Sequence, residues 1–130
     1  MVMNPVTTLI DLMAIESHES VEAIREHLLG IIPDATVDPS GCVVARRGDP
    51  GAGPHIVLNS HMDVVPPHIP PDQDGDIITG RGACDAKGCL TPMITAYTAV
   101  DPTAGCVELV ISPDEETVNE GLAEYLADGH

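Results

Sequence analysis

The sequence predicts an α/β fold, a sheet flanked by helices. Three observations carry this. Two stretches near the N-terminus repeat apolar residues at helical spacing. The middle holds short β-branched runs bounded by glycine and proline. From residue 87 onward, helix, strand and helix patterns alternate with short connections. Apolar residues make up 43% of the 130, a globular composition long enough to bury one core. Aromatics are limited to Tyr97 and Tyr125, so that core is built from Val, Ile, Leu, Met and Ala.

Asn4-Pro5 places an N-cap residue before a proline at the first helical position. Val6, Leu9, Ile10 and Met13 then recur at helical spacing, and residues 17–20 interrupt the helix. A second helix is predicted over 21–29, with Val21, Ile24, Leu28 and Leu29 on one face and Gly30 closing it. Strands are predicted over 42–45 and 56–58, bounded by the Gly/Pro segments 49–54 and 66–71. A short strand over 76–79 follows an Asp74-Gly75 turn. Residues 87–100 read as a helix that tolerates Pro92 only in its first turn. Residues 107–111 form another buried strand, and a last helix starts over 120–127.

The formal charge is −16, from 21 acidic and 5 basic residues, with Lys87 the sole lysine. Such a field repels nucleic acid and anionic membrane, and the scarcity of aromatics removes the stacking platforms of a single-strand binder. Acids interleaved with apolar residues on a lysine-poor chain fit adaptation to high salt, where screening relieves self-repulsion. No stretch has the length of a membrane span and the start lacks a signal pattern, so cytoplasmic residence is expected. Cys42, Cys84, Cys89 and Cys106 lack the paired spacings of a zinc ribbon and read as structural or incidental.

Three polar clusters lie beside these elements: residues 60–66 (SHMDVVP) after one strand, 80–88 (GRGACDAKG) before a helix, and 113–117 (PDEET) after another strand. In open α/β sheets, sites form at the carboxyl ends of strands. Histidine with carboxylates and no organised thiolates is the ligand set of a catalytic metal rather than of structural zinc. His61 and Asp63 lie two apart, so an extended segment turns both to one side. Asp63 then accepts the free ring N–H of a metal-holding His61. Asp85 sits in a glycine-rich loop where its carboxylate could bridge two metals. Glu115 and Glu116 both reach one site only if the strand has already bent, which Pro113 makes reasonable. One glutamate would then bind metal while the other takes a proton. Each cluster alone has an ordinary reading, as a solvated turn, a helix-start charge cluster or a glycine loop; their order and placement together argue against it.

SHMDVVP, GRGACDAKG and PDEET resemble the three N-terminal signatures of the M20 metallopeptidase family, which includes succinyl-diaminopimelate desuccinylase, acetylornithine deacetylase and aminoacylase. The form of the second motif and the acidic composition look most like desuccinylase or deacetylase relatives from salt-loving archaea. The resemblance implies a zinc-peptidase-like catalytic domain, with a mixed sheet flanked by helices, of which residues 1–130 are a truncated N-terminal portion. It implies His61, Asp85 and Glu116 as metal ligands, Asp63 as the carboxylate orienting His61, Glu115 as general base, and a cis peptide from Asp85 to Ala86. The implied cofactor is zinc, two ions per complete site, with cobalt or manganese as substitutes. The implied substrate is a small N-acyl amino acid, hydrolysed by a water that Glu115 deprotonates.

The family's further acidic ligand, its distant histidine and its inserted lid and dimerisation domain find no counterpart in this sequence, and His130 lies too near the glutamate pair to take the histidine's role. The expectation is therefore a chain that binds metal weakly and has little hydrolase activity alone. The competing expectation is a non-catalytic truncated product or a partner-dependent half. Either would leave a sheet edge and apolar helix faces exposed.

Overall fold

In the computed structural model, which describes residues 3–129, α1 (Pro5–Ala14) and α2 (Glu22–Ile31) come first. Next come β1 (Thr36–Val37), β2 (Val43–Gly48) and β3 (His55–His61), then a hairpin of β4 (Asp72–Asp74) and β5 (Ile77–Thr79). The chain continues with α3 (Lys87–Ala99), β6 (Cys106–Ser112) and α4 (Gly121–Ala127). His130 lies outside the described residues.

Four strands form one sheet in the order β1-β2-β6-β3. β2 runs antiparallel to β1 and to β6, whereas β3 runs parallel to β6, so the sheet is mixed. Parallel neighbours need a long crossover, and here it is the segment holding the hairpin and α3. The two faces follow the two-residue strand period. Leu109 and Ile111 of β6, with Val43 and Ala45 of β2, pack against Leu12, Ile24, Leu28, Leu90, Ile94 and Tyr97 from α1, α2 and α3. On the opposite face Val110 meets Cys42, Tyr125 and Leu122, the last two on α4. Helices thus cover both sides of β6, which explains its almost unbroken apolar run.

Local chemistry accounts for most boundaries. The Asn4 side chain accepts from the N–H groups of Val6 and Thr7 at 3.0 and 3.1 Å, as the sequence predicts. The hairpin turn is Gly75-Asp76, one residue later than expected, since Asp74 pairs with Ile77 and Gly75 takes φ 60°. Gly30 does not close α2, which continues to Ile31.

Three other readings change. Val6 and Leu29 are exposed, and the buried residues of α1 are Thr8, Leu12 and Met13. The inward stripe is therefore rotated slightly from the one drawn by hydrophobicity alone. Pro92 lies in the second turn of α3, not the first. Lacking an N–H it leaves the Gly88 carbonyl without its helical partner, yet the helix continues because Leu90, Ile94 and Tyr97 are fully buried. Two short strands, β1 and β4, were not anticipated; both consist of exposed residues. Among the described residues no helix is long and apolar enough to cross a membrane.

Candidate metal centre

β3 and β6 end side by side. Their parallel register places His61 opposite Ser112, and the Met62 N–H donates to the Ser112 carbonyl at 2.9 Å. The first and third polar clusters therefore leave the sheet at the same edge. Beneath them the segment after α1 is tied in: the Ser17 hydroxyl donates to the Met62 carbonyl at 2.9 Å, and the Val64 N–H to the Ser17 carbonyl at 3.3 Å.

Asp63 organises this edge. It is 5% exposed, and its carboxylate accepts from the backbone N–H of Glu115 at 3.1 Å and of Glu116 at 2.9 Å. It also faces His61 Nδ1, 3.2 Å from Oδ1, while the Asp63 carbonyl lies 2.9 Å from the same nitrogen. With two acceptors against it, Nδ1 carries the hydrogen, which leaves Nε2 pointing outward. The hydrogen bond that His61 donates to Asp63 is the main reason the His61 pKa is raised to about 9; burial opposes it, and Glu115 adds to it. Burial alone would raise the Asp63 carboxyl, but the His61 ring and the Glu116 and Glu115 N–H groups hold it below the ordinary range.

The glutamate pair sits in a turn beyond β6, so the strand has ended before the residues diverge. His61, Glu115 and Glu116 each offer one ligand atom, all within 4.8 Å of one another. Asp85 Oδ1 lies 3.1 Å from His61 Nε2, and Glu115 Oε2 lies 3.6 Å from it. The structure thus brings together Asp63, His61, Asp85, Glu115 and Glu116. The Asp85–Ala86 peptide is cis, as the resemblance implied. The Glu116 carboxyl is raised, chiefly by burial and then by the Asp85 and Glu115 carboxylates. One buried, oriented imidazole facing crowded carboxylates, with no thiolate among them, is a donor set that fits a divalent zinc, cobalt or manganese ion.

Three supporting residues were given no role at the site by the sequence reading. Lys87 is 1% exposed; its ammonium donates to the Ile15 carbonyl at 2.7 Å and its stem lies against Gly82. A sole lysine two residues from Asp85 was the available signal. Asp114 caps α4, accepting from the Glu120 and Gly121 N–H groups at 2.9 and 3.1 Å. Glu108, the one acid within the apolar run of β6, is buried on the α4 face. There it meets Arg46 at 2.7 Å, His55 at 2.8 Å and the Tyr125 hydroxyl.

A sheet with helices on both faces and a histidine–carboxylate cluster at its strand ends defines an α/β domain with a candidate metal centre. The particular family follows from comparison with known proteins. The model of peptidase family M20/M25/M40 matches residues 57–130, and the chain belongs to that family. It is 37% identical over 101 residues to succinyl-diaminopimelate desuccinylase of Sphingopyxis alaskensis, covering 72% of this chain and 26% of that protein. It is 33% identical over 93 residues to a Pyrobaculum aerophilum protein provisionally named LysW-lysine/LysW-ornithine hydrolase, covering 72% and 27%. The chain therefore spans about a quarter of the length of these relatives. In fold it resembles an M20 family metallo-carboxypeptidase from Sulfolobus solfataricus (TM-score 0.70, 21% identity, 97% of this chain and 34% of that one). Human carnosine dipeptidase 1 is similar to the same degree (TM-score 0.70, 20% identity, 95% and 34%).

Proposed function

We propose that this chain carries part of the centre of a metal-dependent amidohydrolase that removes an acyl group from the nitrogen of an amino acid, of the desuccinylase or deacetylase type. His61, Asp85 and Glu116 hold zinc, and Glu115 serves as the base. The observation that carries this reading is the convergence of His61 Nε2 with the Asp85, Glu115 and Glu116 carboxylates at one strand edge. When bound, a divalent cation supplies Lewis acidity toward an amide carbonyl.

The chain's own residues do the rest. Asp63 fixes the hydrogen on His61 Nδ1, so that Nε2 is the free donor. Through the two backbone N–H groups it grips, the same carboxylate sets where Glu115 and Glu116 stand. The Glu115 side chain is 46% exposed, so a water can reach its carboxylate and lose a proton to it. The desuccinylases among the relatives support the acyl-amide class. The acidic, lysine-poor composition supports a cytoplasm of high salt.

The described residues bring one imidazole and three carboxylates to this edge, whereas two zinc ions need about four donors each. On this reading the 130-residue chain binds metal weakly and turns over little substrate alone. Zinc stoichiometry by equilibrium dialysis, with hydrolysis assays on N-succinyl-diaminopimelate and N-acetylornithine, tests it. Expected is at most one weakly held ion that His61→Ala abolishes. Two tightly held ions with robust turnover would overturn the weak-site reading. Metal uptake indifferent to His61→Ala would overturn the assignment of the site.

A further inference from the structure

The loop that delivers Asp85 carries two thiols the proposed reaction does not use. Cys84 immediately precedes Asp85, and Cys89 lies in the first turn of α3; both are exposed. They are neighbours in space because the loop folds back on the helix start. The Gly88 N–H donates to the Gly82 carbonyl at 3.0 Å, and a Cβ at Gly88 would lie 1.9 Å from the Ala83 carbonyl oxygen. Within this fold-back Cys89 Sγ rests 3.4 Å from the Cys84 carbonyl oxygen. The other two cysteines, Cys42 and Cys106, are 0% and 2% exposed.

We infer that Cys84 and Cys89 form a reversible disulfide that controls the position of Asp85, and with it metal holding at the site. This regulatory role rests on the metal-centre reading above. The chemistry is thiol–disulfide exchange with a small-molecule disulfide such as oxidised glutathione. One cysteine thiolate attacks a glutathione sulfur and releases one glutathione thiolate. The second cysteine then displaces the other glutathione from the mixed disulfide. One protein S–S bond forms, one glutathione S–S bond breaks, two electrons pass to glutathione, and the two cysteine protons pass to the two glutathione thiolates.

On this inference closure moves Asp85. A disulfide needs sulfur atoms about 2.05 Å apart and Cβ atoms about 3.5–4.5 Å apart, whereas Cys89 Sγ now faces the Cys84 carbonyl. Bringing the two sulfurs together pulls on the loop at Cys84, and Asp85 is the next residue along it. Asp85 Oδ1 sits 3.1 Å from His61 Nε2, so a shift of about 1 Å breaks that contact. Disturbed ligand positioning costs roughly 10–100-fold in metal affinity.

The test uses the intact 130-residue chain. After treatment with oxidised glutathione and removal of excess, the expected result is a mass lower by about 2 Da, as two thiol hydrogens leave. Peptide mapping should place the bond between Cys84 and Cys89, with Cys42 and Cys106 still free thiols. Oxidation should weaken zinc or cobalt binding at least tenfold, with recovery on reduction and no response in Cys89→Ser. The His61 ring resonances of the metal-free chain should also shift on oxidation, a readout independent of metal. No intramolecular Cys84–Cys89 bond, or a bond between two chains instead, overturns the proposal. So does a bond that leaves both metal affinity and the His61 resonances unchanged. Absence of metal binding in the reduced chain would sink the metal-centre reading, while the mapping and the His61 resonances still judge the disulfide.

Discussion

Replacing Asp63 by asparagine tests how the strand edge is held together, because the change preserves shape and removes charge. Shifting an imidazole from 6.5 to about 9 corresponds to roughly 3 kcal/mol of preference for the imidazolium, at about 1.4 kcal/mol per pH unit. The Asp63 hydrogen bond is its largest source and burial opposes it. With Asp63→Asn the largest source is lost, while the backbone carbonyl of residue 63 and Glu115 still favour the imidazolium against burial, and His61 should titrate clearly below about 9 in the metal-free chain. An NMR titration of the His61 ring reads this directly.

The sign for stability follows from linkage. A histidine whose folded pKa is raised contributes stability that is complete below about 6.5 and is lost as pH rises through about 9. Denaturant midpoints of the metal-free wild type should therefore fall between those values relative to Asp63→Asn, which should show a clearly smaller slope. The variant also turns an amide NH2 toward one of the Glu115 and Glu116 N–H groups, costing about 1–3 kcal/mol at neutral pH. His61 still titrating near 9, or the two chains sharing one pH slope, would refute the role given to Asp63.

Two further changes probe the loop that carries Asp85. Burial lowers the Lys87 pKa to about 8. The unfolded chain thus binds the proton more tightly, and stability rises with pH between about 8 and 10.5; Lys87→Met should abolish that rise, and identical denaturation profiles over this range would refute it. Gly88→Ala gains about 1 kcal/mol in helix propensity. However, its Cβ would meet the Ala83 carbonyl oxygen at 1.9 Å, and overpacking against backbone costs about 1–3 kcal/mol or more. The expected outcome in urea denaturation is a net loss of stability together with weakened metal binding, and an unchanged or raised midpoint would contradict it.

What the sequence made legible followed from local chemistry. The Asn4-Pro5 start, the Gly-bounded strands and the three polar clusters rest on propensities and spacing that act over a few residues. The inward face of α1 was misjudged because Thr8 is buried and Val6 is not, a choice made by where α3 and the sheet lie. Pro92 in the second turn of α3 is the same case, with burial of the surrounding apolar residues outweighing a local rule. β1 was missed because its two residues are exposed and gain their identity only by pairing with Val43 and Val44. Neither Lys87 nor Glu108 has a role legible in the sequence, and only the folded chain reveals a carbonyl for one and an Arg–His–Tyr cage for the other.

The same contrast explains why Asp63 matters more than the spacing argument allowed. An extended His-x-Asp segment predicts two side chains on one side, yet β3 ends at His61 and Asp63 lies beyond it. The pair meets all the same, and the segment is held by Ser17 on the Met62 carbonyl and by the Glu115 and Glu116 N–H groups on the Asp63 carboxylate. Asp63 therefore joins two segments 52 residues apart that the parallel β3–β6 register merely brings to the same edge. The register sets which strand ends are neighbours; Asp63 sets the distance between the imidazole of one and the glutamates of the other. A hydrophobic replacement could keep the sheet intact and still scatter the donors, so folding and metal holding should separate at this residue before they separate anywhere in the core.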